Sequence, residues 1–448
     1  MTHHFIGIGG IGMSALAHIL LDQGHRVTGS DLKLSSVVRQ LQQRGATIFL
    51  GQAAENIDAS ATVVYTTDVK ADNVELVEAK RVDCPLLHRS DLLQRLTLMK
   101  RPLAVAGTHG KTTTSALLTA VLSRAGWRPS YAVGGIITEL GNNGGWGGGD
   151  YFVLEADESD GTFLKYAPVG AIVTNVEAEH LNHYGTEEAM QKAYLEFMCH
   201  VEDTTSLFWC GDDPVLAGWN YPGVSYGFGP NCQLLGSRFR VGEAGIVYDV
   251  SWEGHLFRNV EVSLWGSHNA LNSLAVFGMA LALGISEEAI RSALKAFRGA
   301  KRRLEVRGQV RGALVLDDYG HHPTEVLSTL RALRQAMPTR RLLVAFQPHR
   351  YTRTQACLDL FGNAFDSADL VVLTDIYGAG EKPIPGVTTE AFVSKVKEHS
   401  RAEVQWAPRN QIARVLFDKL RPEDLLVTMG AGDITEVATE MQTHESQG

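Results

Sequence analysis

Residues 102–116 read Pro-Leu-Ala-Val-Ala-Gly-Thr-His-Gly-Lys-Thr-Thr-Thr-Ser-Ala. The short apolar run at 103–105 predicts a buried strand, and Gly107 and Gly110 allow a tight turn after it. Residues 116–124 then continue as a helix. A strand, a glycine turn and a helix start, in that order, direct backbone N–H groups and the helix dipole towards a bound anion. The stretch therefore predicts a phosphate-binding loop.

The same loop carries the two side chains that nucleotide sites use. Lys111 would reach the terminal phosphates, and the Thr112 hydroxyl would bind magnesium. The full eight-residue pattern has glycine where this chain has Val105, so the loop is a shortened variant. A glycine turn with a surface lysine is the plainer alternative. The coincidence of strand, turn, Lys-Thr and helix favours the nucleotide site.

Length and composition bound what surrounds this loop. A chain of 448 residues predicts about three domains, each with its own core. The net charge of −9 argues against a general affinity for nucleic acid, and no apolar run approaches the ~18 residues of a membrane span. We expect no signal peptide at the N-terminus. Five scattered cysteines predict reduced thiols and a cytoplasmic protein.

A second glycine loop lies near the start of the chain. Residues 7–12 read Gly-Ile-Gly-Gly-Ile-Gly directly after a predicted strand, and a helix with a 3.6-residue apolar period follows over 13–23. Asp31 ends the next predicted strand, where dinucleotide folds place a ribose-binding acid. NAD binding is therefore one interpretation, and glycines that serve only packing are another. The physics alone predicts a phosphorylated ligand at this helix start.

Polar residues follow the predicted strands of the central part of the chain. Glu155 begins the run Glu-Ala-Asp-Glu-Ser-Asp after a strand at 151–154, and His180 follows a strand at 171–174. Both side chains would reach one metal cluster at the same sheet edge. A solvated acidic turn and a structural histidine are the alternatives. The glycine-dense residues 134–149 are compatible with a flexible surface loop.

The last part of the chain repeats the pattern of polar strand ends. Predicted strands at 313–316, 342–346, 370–374 and 424–428 each run into polar or glycine residues, which predicts a site at the carboxyl edge of a parallel sheet. Arg350 and Arg353 are placed to fork onto a phosphate or carboxylate, with ordinary surface arginines as the alternative. His268 and Asn269, before the helix at 270–283, are either caps or partners for an adenine edge.

Taken together, these motifs identify a resemblance to the Mur ligases of bacterial cell-wall synthesis over essentially the whole chain. It rests on residues 7–14, 107–114, 155–160, 174–180, 266–269, 317–325 and 346–353. The resemblance implies an α/β protein with parallel sheets in three domains. These are a Rossmann-like domain for the uridine diphosphate at 1–99, a central P-loop ATPase domain at 100–299 and a Rossmann-like domain at 300–448 that contacts ATP and the amino acid.

The resemblance also implies the reaction and its ligands. ATP and Mg²⁺ would activate the carboxylate of UDP-N-acetylmuramate as an acyl phosphate, which an amine then attacks. The opening glycine run and Asp-Tyr-Gly-His-His-Pro at 318–323 are typical of members that use L-alanine. Small molecules are then the expected partners. Members that add a preformed peptide share most of these motifs and are the alternative within the family.

Site residues follow by position from the same resemblance. The opening loop would hold UDP rather than NAD, through Gly9, Gly10, Ile11, Gly12, Asp31, Thr67, His88 and Arg89. ATP would meet Gly107, Thr108, His109, Gly110, Lys111, Thr112, Thr113, His268, Asn269, Arg303 and Asp318. Thr112, Glu155 and His180 would bind magnesium, and His321, Arg350 and Arg353 would line the amino-acid end. The implied catalytic residues are Lys111, Glu155, His180, His321 and Arg350.

The chain departs from the family pattern at two positions, since Glu179 and Asn182 stand where aspartates are usual. Two functions outside the family remain as alternatives. A nicotinamide-dependent oxidoreductase would explain residues 7–31 but leaves the P-loop without a role. A nucleotide-gated binding protein would use the P-loop but not the polar strand ends of the last domain.

Overall fold

The computed structural model describes residues 1–447, without the side chains of Asn182, Ser446 and Gln447. The described chain folds into three sheets, mostly parallel, with helices between the strands. The predicted α/β fold class is therefore confirmed. The predicted boundaries near Met99 and Gly299 stay predictions.

The first sheet has five parallel strands in the order β3-β2-β1-β4-β5. Because β1 lies between β2 and β4, the strand order reverses beside it, and ligands bind at such a point in open α/β sheets. The strands are β1 (Thr2–Ile6), β2 (Arg26–Asp31), β3 (Thr47–Leu50), β4 (Thr62–Tyr65) and β5 (Leu86–His88). The helices are α1 (Ile11–Asp22), α2 (Ser36–Gln43), α3 (Val74–Arg81) and α4 (Arg89–Thr97).

The second sheet has ten strands in the order β15-β14-β13-β12-β11-β10-β6-β9-β7-β8. Its first strands are β6 (Arg101–Ala106), β7 (Ser130–Ile137), β8 (Asn142–Gly145), β9 (Tyr151–Glu155) and β10 (Gly170–Val173). The others are β11 (Leu207–Cys210), β12 (Val224–Gly227), β13 (Leu234–Gly242), β14 (Gly245–Trp252) and β15 (His255–Val262). The helices are α5 (Lys111–Arg124), α6 (Leu181–Tyr184), α7 (Glu187–Cys199), α8 (Pro214–Trp219), α9 (Ser267–Ala282) and α10 (Glu287–Ala296).

Strand β6 positions the central site because it lies between β9 and β10. Val105 pairs with Glu155 on one side, and Ala106 pairs with Val173 on the other. All three strands are parallel, so their carboxyl ends meet at one edge. The phosphate-binding loop, the acidic run and residues 174–180 therefore start from neighbouring points.

The third sheet has six strands in the order β16-β17-β21-β18-β19-β20, and only the β16–β17 pair is antiparallel. Its strands are β16 (Glu305–Val310), β17 (Ala313–Asp318), β18 (Leu342–Phe346), β19 (Leu370–Leu373), β20 (Glu403–Trp406) and β21 (Leu425–Met429). The helices are α11 (Pro323–Ala336), α12 (Tyr351–Ala356), α13 (Thr389–His399), α14 (Ile412–Lys419) and α15 (Val437–Gln447).

The core of this sheet shows why its strands are apolar throughout. Val344 and Phe346 pack into one buried cluster with helices α11 and α13, whereas Leu343 and Ala345 pack into another with α14 and α15. Successive side chains of a strand point to opposite faces, so a strand covered on both sides must be apolar at every position. Polar side chains that could serve a function therefore lie at the strand ends.

The chain forms two compact units. Unit 1 comprises residues 1–239, 248–262 and 271–298, and unit 2 comprises residues 240–247, 263–270 and 299–448. None of the helices within residues 1–447 combines the length and apolar character that crossing a bilayer requires.

The glycine-dense residues 134–149 differ from a flexible surface loop, because much of this stretch forms β7 and β8. Helix α1 packs against this hairpin: a Cβ on Gly144 would lie 2.2 Å from the Ala15 carbonyl oxygen. Asn143 donates to the Ile11 carbonyl at 2.5 Å and to the Ser14 hydroxyl at 3.1 Å. These glycines therefore allow a close backbone approach within unit 1.

Candidate active site

The phosphate-binding loop follows β6 and requires glycine at both predicted positions. Gly107 has φ of 130°, and a Cβ there would lie 2.0 Å from the Thr174 hydroxyl oxygen. Gly110 has φ of 85°, and its Cβ would lie 2.8 Å from Asn272 Oδ1. Residues with side chains are strained at such φ values and would also clash here. The two glycines set the shape of the turn before α5.

Residues 174–177, which follow β10, hold this loop in place. The Asn175 side chain accepts from the His109 N–H at 2.8 Å and donates to the His109 carbonyl at 2.9 Å. The Thr108 hydroxyl bonds the backbone of Glu177, and the His109 ring lies 2.8 Å from the Glu177 carboxylate. The loop is thus held by side-chain and backbone contacts from the segment that follows a neighbouring strand.

Lys111 begins α5 and turns its ammonium back into the site. Its Nζ donates to the Glu158 carboxylate at 2.7 and 3.0 Å, and both side chains are almost completely buried. Burial acts to lower the pKa of Lys111, but the carboxylates of Glu158, Asp157 and Glu155 outweigh it and raise that pKa. Lys111 is therefore a fixed positive charge at the helix start.

Thr112 and Glu155, two of the three predicted magnesium ligands, lie together. The Thr112 hydroxyl donates to Glu155 Oε1 at 3.2 Å, and the Gly134 N–H donates to Oε2 at 2.7 Å. A Cβ on Gly134 would lie 2.6 Å from both carboxylate oxygens, so any larger residue there would displace the carboxylate. A hydroxyl and a carboxylate are hard oxygen ligands of the kind that Mg²⁺ prefers. These residues fit a magnesium site.

His180, the third predicted ligand, reaches the acidic run at a different residue. Its Nε2 lies 3.7 Å from Glu158 Oε1 and 3.6 Å from Glu179 Oε2. The backbone at His180 is left-handed, with φ of 56°, which is uncommon for a residue other than glycine. Strained backbone of this kind is frequent at functional sites. The structure joins His180 to the Lys111–Glu158 pair.

The opening glycine loop, also in unit 1, has a different arrangement. The N–H groups of Gly7 and Ile8 both donate to the Ser30 carbonyl at 2.9 Å. The Gly9 N–H donates to Asp31 Oδ2 at 2.8 Å, so Asp31 lies against the loop, and its ribose role stays a prediction. Gly10 precedes α1, and Ile11, its first residue, is 42% exposed.

The remaining predicted UDP residues gather at the same edge of the first sheet. A Cβ on Gly12 would lie 2.8 Å from Arg89 Nη1, so the guanidinium covers the loop. The Thr67 hydroxyl lies 3.2 Å from His88 Nε2 and donates to Asp160 Oδ2 at 3.1 Å. Burial, with Lys165 and Arg89, lowers the pKa of His88. The edge offers the guanidinium of Arg89, with Lys165 nearby, and several polar groups to an anionic ligand.

In unit 2, the residues predicted to meet ATP from the last domain surround Glu325. The Arg303 guanidinium lies 3.8 Å from Glu325 Oε1. Buried Asp318 accepts from the N–H groups of Leu304 at 2.9 Å and Gly320 at 2.8 Å. Burial raises the pKa of Asp318 to about 6, and burial together with Arg303 lowers that of His268 to about 4. Asn269 lies inside α9 rather than before it, and its side-chain N–H donates to the carbonyl of Trp265 at 2.8 Å.

The predicted amino-acid residues lie at the ends of β17 and β18. The His321 ring is 5.8 Å from the His349 ring, and His349 Nδ1 is 3.5 Å from Arg353 Nη1. Burial lowers the pKa of His349 to about 3, with His321, Arg353 and Arg350 adding to the effect. Arg350 has a left-handed backbone, with φ of 68°, and its N–H donates to the Tyr377 carbonyl at 2.8 Å.

Sequence reasoning missed several residues that shape these sites. Asn175 braces the phosphate-binding loop, Glu158 pairs with its lysine, and Tyr377 stacks on His349 with 5.7 Å between ring centres and 9° between planes. Asn175, Glu158 and His349 lie within the motifs given above, but no role was assigned to them. Each of the four follows a strand end, and this is the signal that could have found them.

Family models match the chain in three segments. The "Mur ligase family, catalytic domain" model matches residues 2–101, the "Mur ligase middle domain" model matches 105–280, and the "Mur ligase, glutamate ligase domain" model matches 302–432. These segments cover the phosphate-binding loop, the opening glycine loop and the polar strand ends of unit 2.

Individual relatives match almost the whole chain. The UDP-N-acetylmuramate–L-alanine ligase of Protochlamydia amoebophila is 45% identical over 439 residues, which are 98% of this chain and 97% of the relative. The crystal structure of a UDP-N-acetylmuramate–alanine ligase from Thermotoga maritima superposes with a TM-score of 0.88 at 27% identity, covering 100% of both chains. A murein peptide ligase from Psychrobacter arcticus shares the fold, with a TM-score of 0.73 at 24% identity and coverage of 99% and 98%. The resemblance inferred from the motifs is confirmed, and the chain belongs to the Mur ligase family.

Proposed function

We propose that this protein is an ATP-dependent ligase that joins L-alanine to the carboxylate of UDP-N-acetylmuramate in peptidoglycan precursor synthesis. The observation that carries the proposal is the 45% identity, over 98% of the chain, to a relative named for that reaction. The arrangement of Lys111, Thr112 and Glu155 supports the ATP-dependent step. The opening glycine loop with Asp31 and Arg89 supports the binding of a UDP-linked substrate.

In the first step, a muramate carboxylate oxygen attacks the γ-phosphorus of ATP. The new bond joins that oxygen to phosphorus, the bond to the β-phosphate oxygen breaks, and ADP leaves with the bonding electrons. Lys111 offsets the negative charge that develops on the transferred phosphoryl group. Thr112 and Glu155, with His180, would hold Mg²⁺, which neutralises phosphate charge when bound.

In the second step, the amine of L-alanine attacks the acyl carbon. The C–N bond forms through a tetrahedral intermediate, and the bond to the phosphate oxygen breaks with release of phosphate. We assign the alanine carboxylate to Arg350 and Arg353, because a guanidinium forks onto a carboxylate. His321, at the same sheet edge, is the ring to which we assign the proton that the amine loses.

Exclusion of water is a requirement of this chemistry, because an acyl phosphate hydrolyses readily when water reaches it.

We propose that the protein acts in the cytoplasm on small-molecule substrates, an assignment supported by its scattered cysteines.

Phosphate release tests the proposal when each substrate is left out in turn. We expect release with ATP, UDP-N-acetylmuramate and L-alanine together, and near-background release when either of the last two is missing. A parallel assay replaces L-alanine with a preformed cell-wall tripeptide. Release with the tripeptide but not with L-alanine would reassign the chain to the peptide-adding members of the family. Release with neither would refute ligase activity.

A further inference from the structure

Glu158 has no role in the mechanism above, although it lies in the acidic run that contains Glu155. Its side chain is 1% exposed and that of Lys111 is 12% exposed. The two carboxylate oxygens of Glu158 accept from Lys111 Nζ at 2.7 and 3.0 Å. Tyr184 holds the Glu158 backbone by donating to its carbonyl at 2.6 Å. A buried carboxylate thus lies directly on the lysine that is expected to bind ATP.

The ammonium of Lys111 has all its donors engaged in this arrangement. In addition to the carboxylate, Nζ donates to the carbonyls of Gly107 at 2.7 Å and Thr108 at 3.2 Å. An ammonium has three N–H donors, and four oxygens already surround it. A terminal phosphate must therefore displace at least one of these oxygens to bind Lys111.

Charge decides which oxygens leave. The two carbonyls are neutral and belong to the phosphate-binding loop itself, so they remain compatible with a bound phosphate. Burial raises the pKa of Glu158 and Lys111 opposes that shift, but both carboxylate oxygens accept from the ammonium, as an ionised carboxylate does. A phosphate is a second anion, and two anions on one buried ammonium repel each other. The carboxylate is therefore the group that must leave.

We propose that Glu158 is a positioning residue that occupies the place of the terminal phosphate on Lys111 and is exchanged for that phosphate when ATP binds. This inference rests on the proposed ATP-dependent function. Glu158 keeps the lysine charged and correctly directed in the nucleotide-free enzyme, and it competes with ATP for the same ammonium. His180, 3.7 Å from the carboxylate, Asp157 and the phenols of Tyr184 and Tyr194 are further titratable groups beside it.

The first test measures nucleotide affinity in the full-length protein by calorimetry, without the other substrates. Glu158→Gln keeps the size of the side chain but removes the competing charge, so we expect ATP to bind about tenfold more tightly than to the wild type. ADP lacks the terminal phosphate, so its affinity should change less. Asp157→Asn is the matched control, because it removes the same charge from the same segment. The carboxylate of Asp157 accepts from Ser159 rather than from Lys111.

The outcomes separate this inference from the proposed function. If Glu158→Gln binds ATP no more tightly than Asp157→Asn, or more weakly than the wild type, Glu158 does not compete with phosphate and the inference is wrong. If the wild type does not bind ATP at all, the proposed function fails instead.

A second measurement tests the pairing without any nucleotide. Lys111→Met leaves the Glu158 carboxylate buried without its cation. The melting temperature of this variant at pH 8 should therefore fall below that of the wild-type protein. Adding Glu158→Gln should recover part of that loss, because the orphaned charge is removed. A double variant that melts no higher than Lys111→Met would contradict the ion pair on which the exchange depends.

Discussion

The two glycine loops of unit 1 share a plan and differ in what faces their backbone. Each follows a strand, contains a glycine with positive φ and leads into a helix. In the opening loop, the N–H of Gly9 donates to the carboxylate of Asp31, and the nearby cation, Arg89, comes from α4. In the loop at 107–111, a lysine begins the helix itself and Asn175 accepts the His109 N–H.

Under the proposed function, this difference would allow one local motif to serve two ligands. Glycines supply the N–H groups and the space, but the side chains on neighbouring strand ends decide which anion binds and how strongly. The loop at 107–111 has its own cation and a hydroxyl next to a carboxylate, which suits a terminal phosphate with Mg²⁺. The opening loop has the Asp31 carboxylate at the position of a ribose-binding acid, and its cation, Arg89, comes from α4. This arrangement suits a nucleoside diphosphate.

The largest effect should come from the lysine that only one loop carries. Lys111→Ala should lower turnover by more than about 1,000-fold, because charge developing on the phosphoryl group loses its cation. Lys33→Ala, near the opening loop, is the control and should retain nearly all activity. Phosphate release and circular dichroism of both variants measure this. A folded Lys111→Ala protein with wild-type turnover would remove the basis for the contrast between the loops.

The second effect concerns the metal site, which we assign only to the loop at 107–111. Glu155→Ala should lower activity by about 100-fold at low Mg²⁺, since it removes an oxygen ligand. A raised Mg²⁺ concentration should restore part of the lost activity. Titrating Mg²⁺ against initial rate measures the shift, with Asp157→Asn as a control for the lost charge. An unchanged Mg²⁺ dependence would show that Glu155 is not a ligand.

The third effect concerns the pH dependence of stability. It distinguishes the helices that follow the two loops, because α1 carries a buried histidine and α5 contains none. Arg44 Nη1 lies 2.6 Å from His18 Nδ1, and since a guanidinium only donates, His18 must accept and be neutral. Burial, with Arg44, lowers the pKa of His18 from 6.5 to about 4. The unfolded chain therefore binds a proton more readily than the folded one between these values, so stability falls as pH falls from 6.5 towards 4.

At pH 5 this linkage amounts to about 2 kcal/mol, a factor of about 30 in the unfolding equilibrium. Urea denaturation at pH 7.5 and pH 5 measures it. His18→Gln, whose amide oxygen can still accept from Arg44, should remove this part of the acid sensitivity, whereas the exposed His255→Gln should not. Equal acid sensitivity in both variants would contradict the buried neutral histidine.

The smallest effect is expected at the opening loop. A Cβ on Gly9 would lie 2.6 Å from Val38 Cγ2 and 2.8 Å from Asp31 Oδ2. Gly9→Ala should therefore displace Asp31 and raise KM for UDP-N-acetylmuramate about tenfold, with KM for ATP unchanged. Gly218→Ala, where a Cβ meets nothing within 4 Å, is the matched control. A change in KM for ATP instead would show that the loops do not divide the substrates as proposed.

Much of the fold was predictable because the strands are short, apolar and followed by polar turns. The predicted strands at 62–65 and 342–346 coincide with β4 and β18. Residues 134–149 were harder, because glycine-rich composition does not show that Ala15 approaches Gly144. Packing against Ala15 requires glycine at 144, and such packing is not visible in local sequence.

Sequence reasoning predicted which strand ends form the candidate site. It did not predict which side chains contact each other there. Thr112 and Glu155 come together as expected, since β6 and β9 are neighbours in the sheet. The pairing of Lys111 with Glu158 could not be read from spacing, because it depends on how residues 156–161 turn after the strand. The roles assigned to individual residues stay predictions.

The central claim is that ATP activates the muramate carboxylate before alanine attacks it. The most direct measurement starts from UDP-N-acetylmuramate labelled with oxygen-18 in that carboxylate and analyses the phosphate released in the presence of ATP and L-alanine. If an acyl phosphate forms, one carboxylate oxygen must leave with the phosphate. We therefore expect one labelled oxygen in each phosphate released from doubly labelled substrate. Phosphate without label would contradict the acyl-phosphate mechanism and the ligase function built on it.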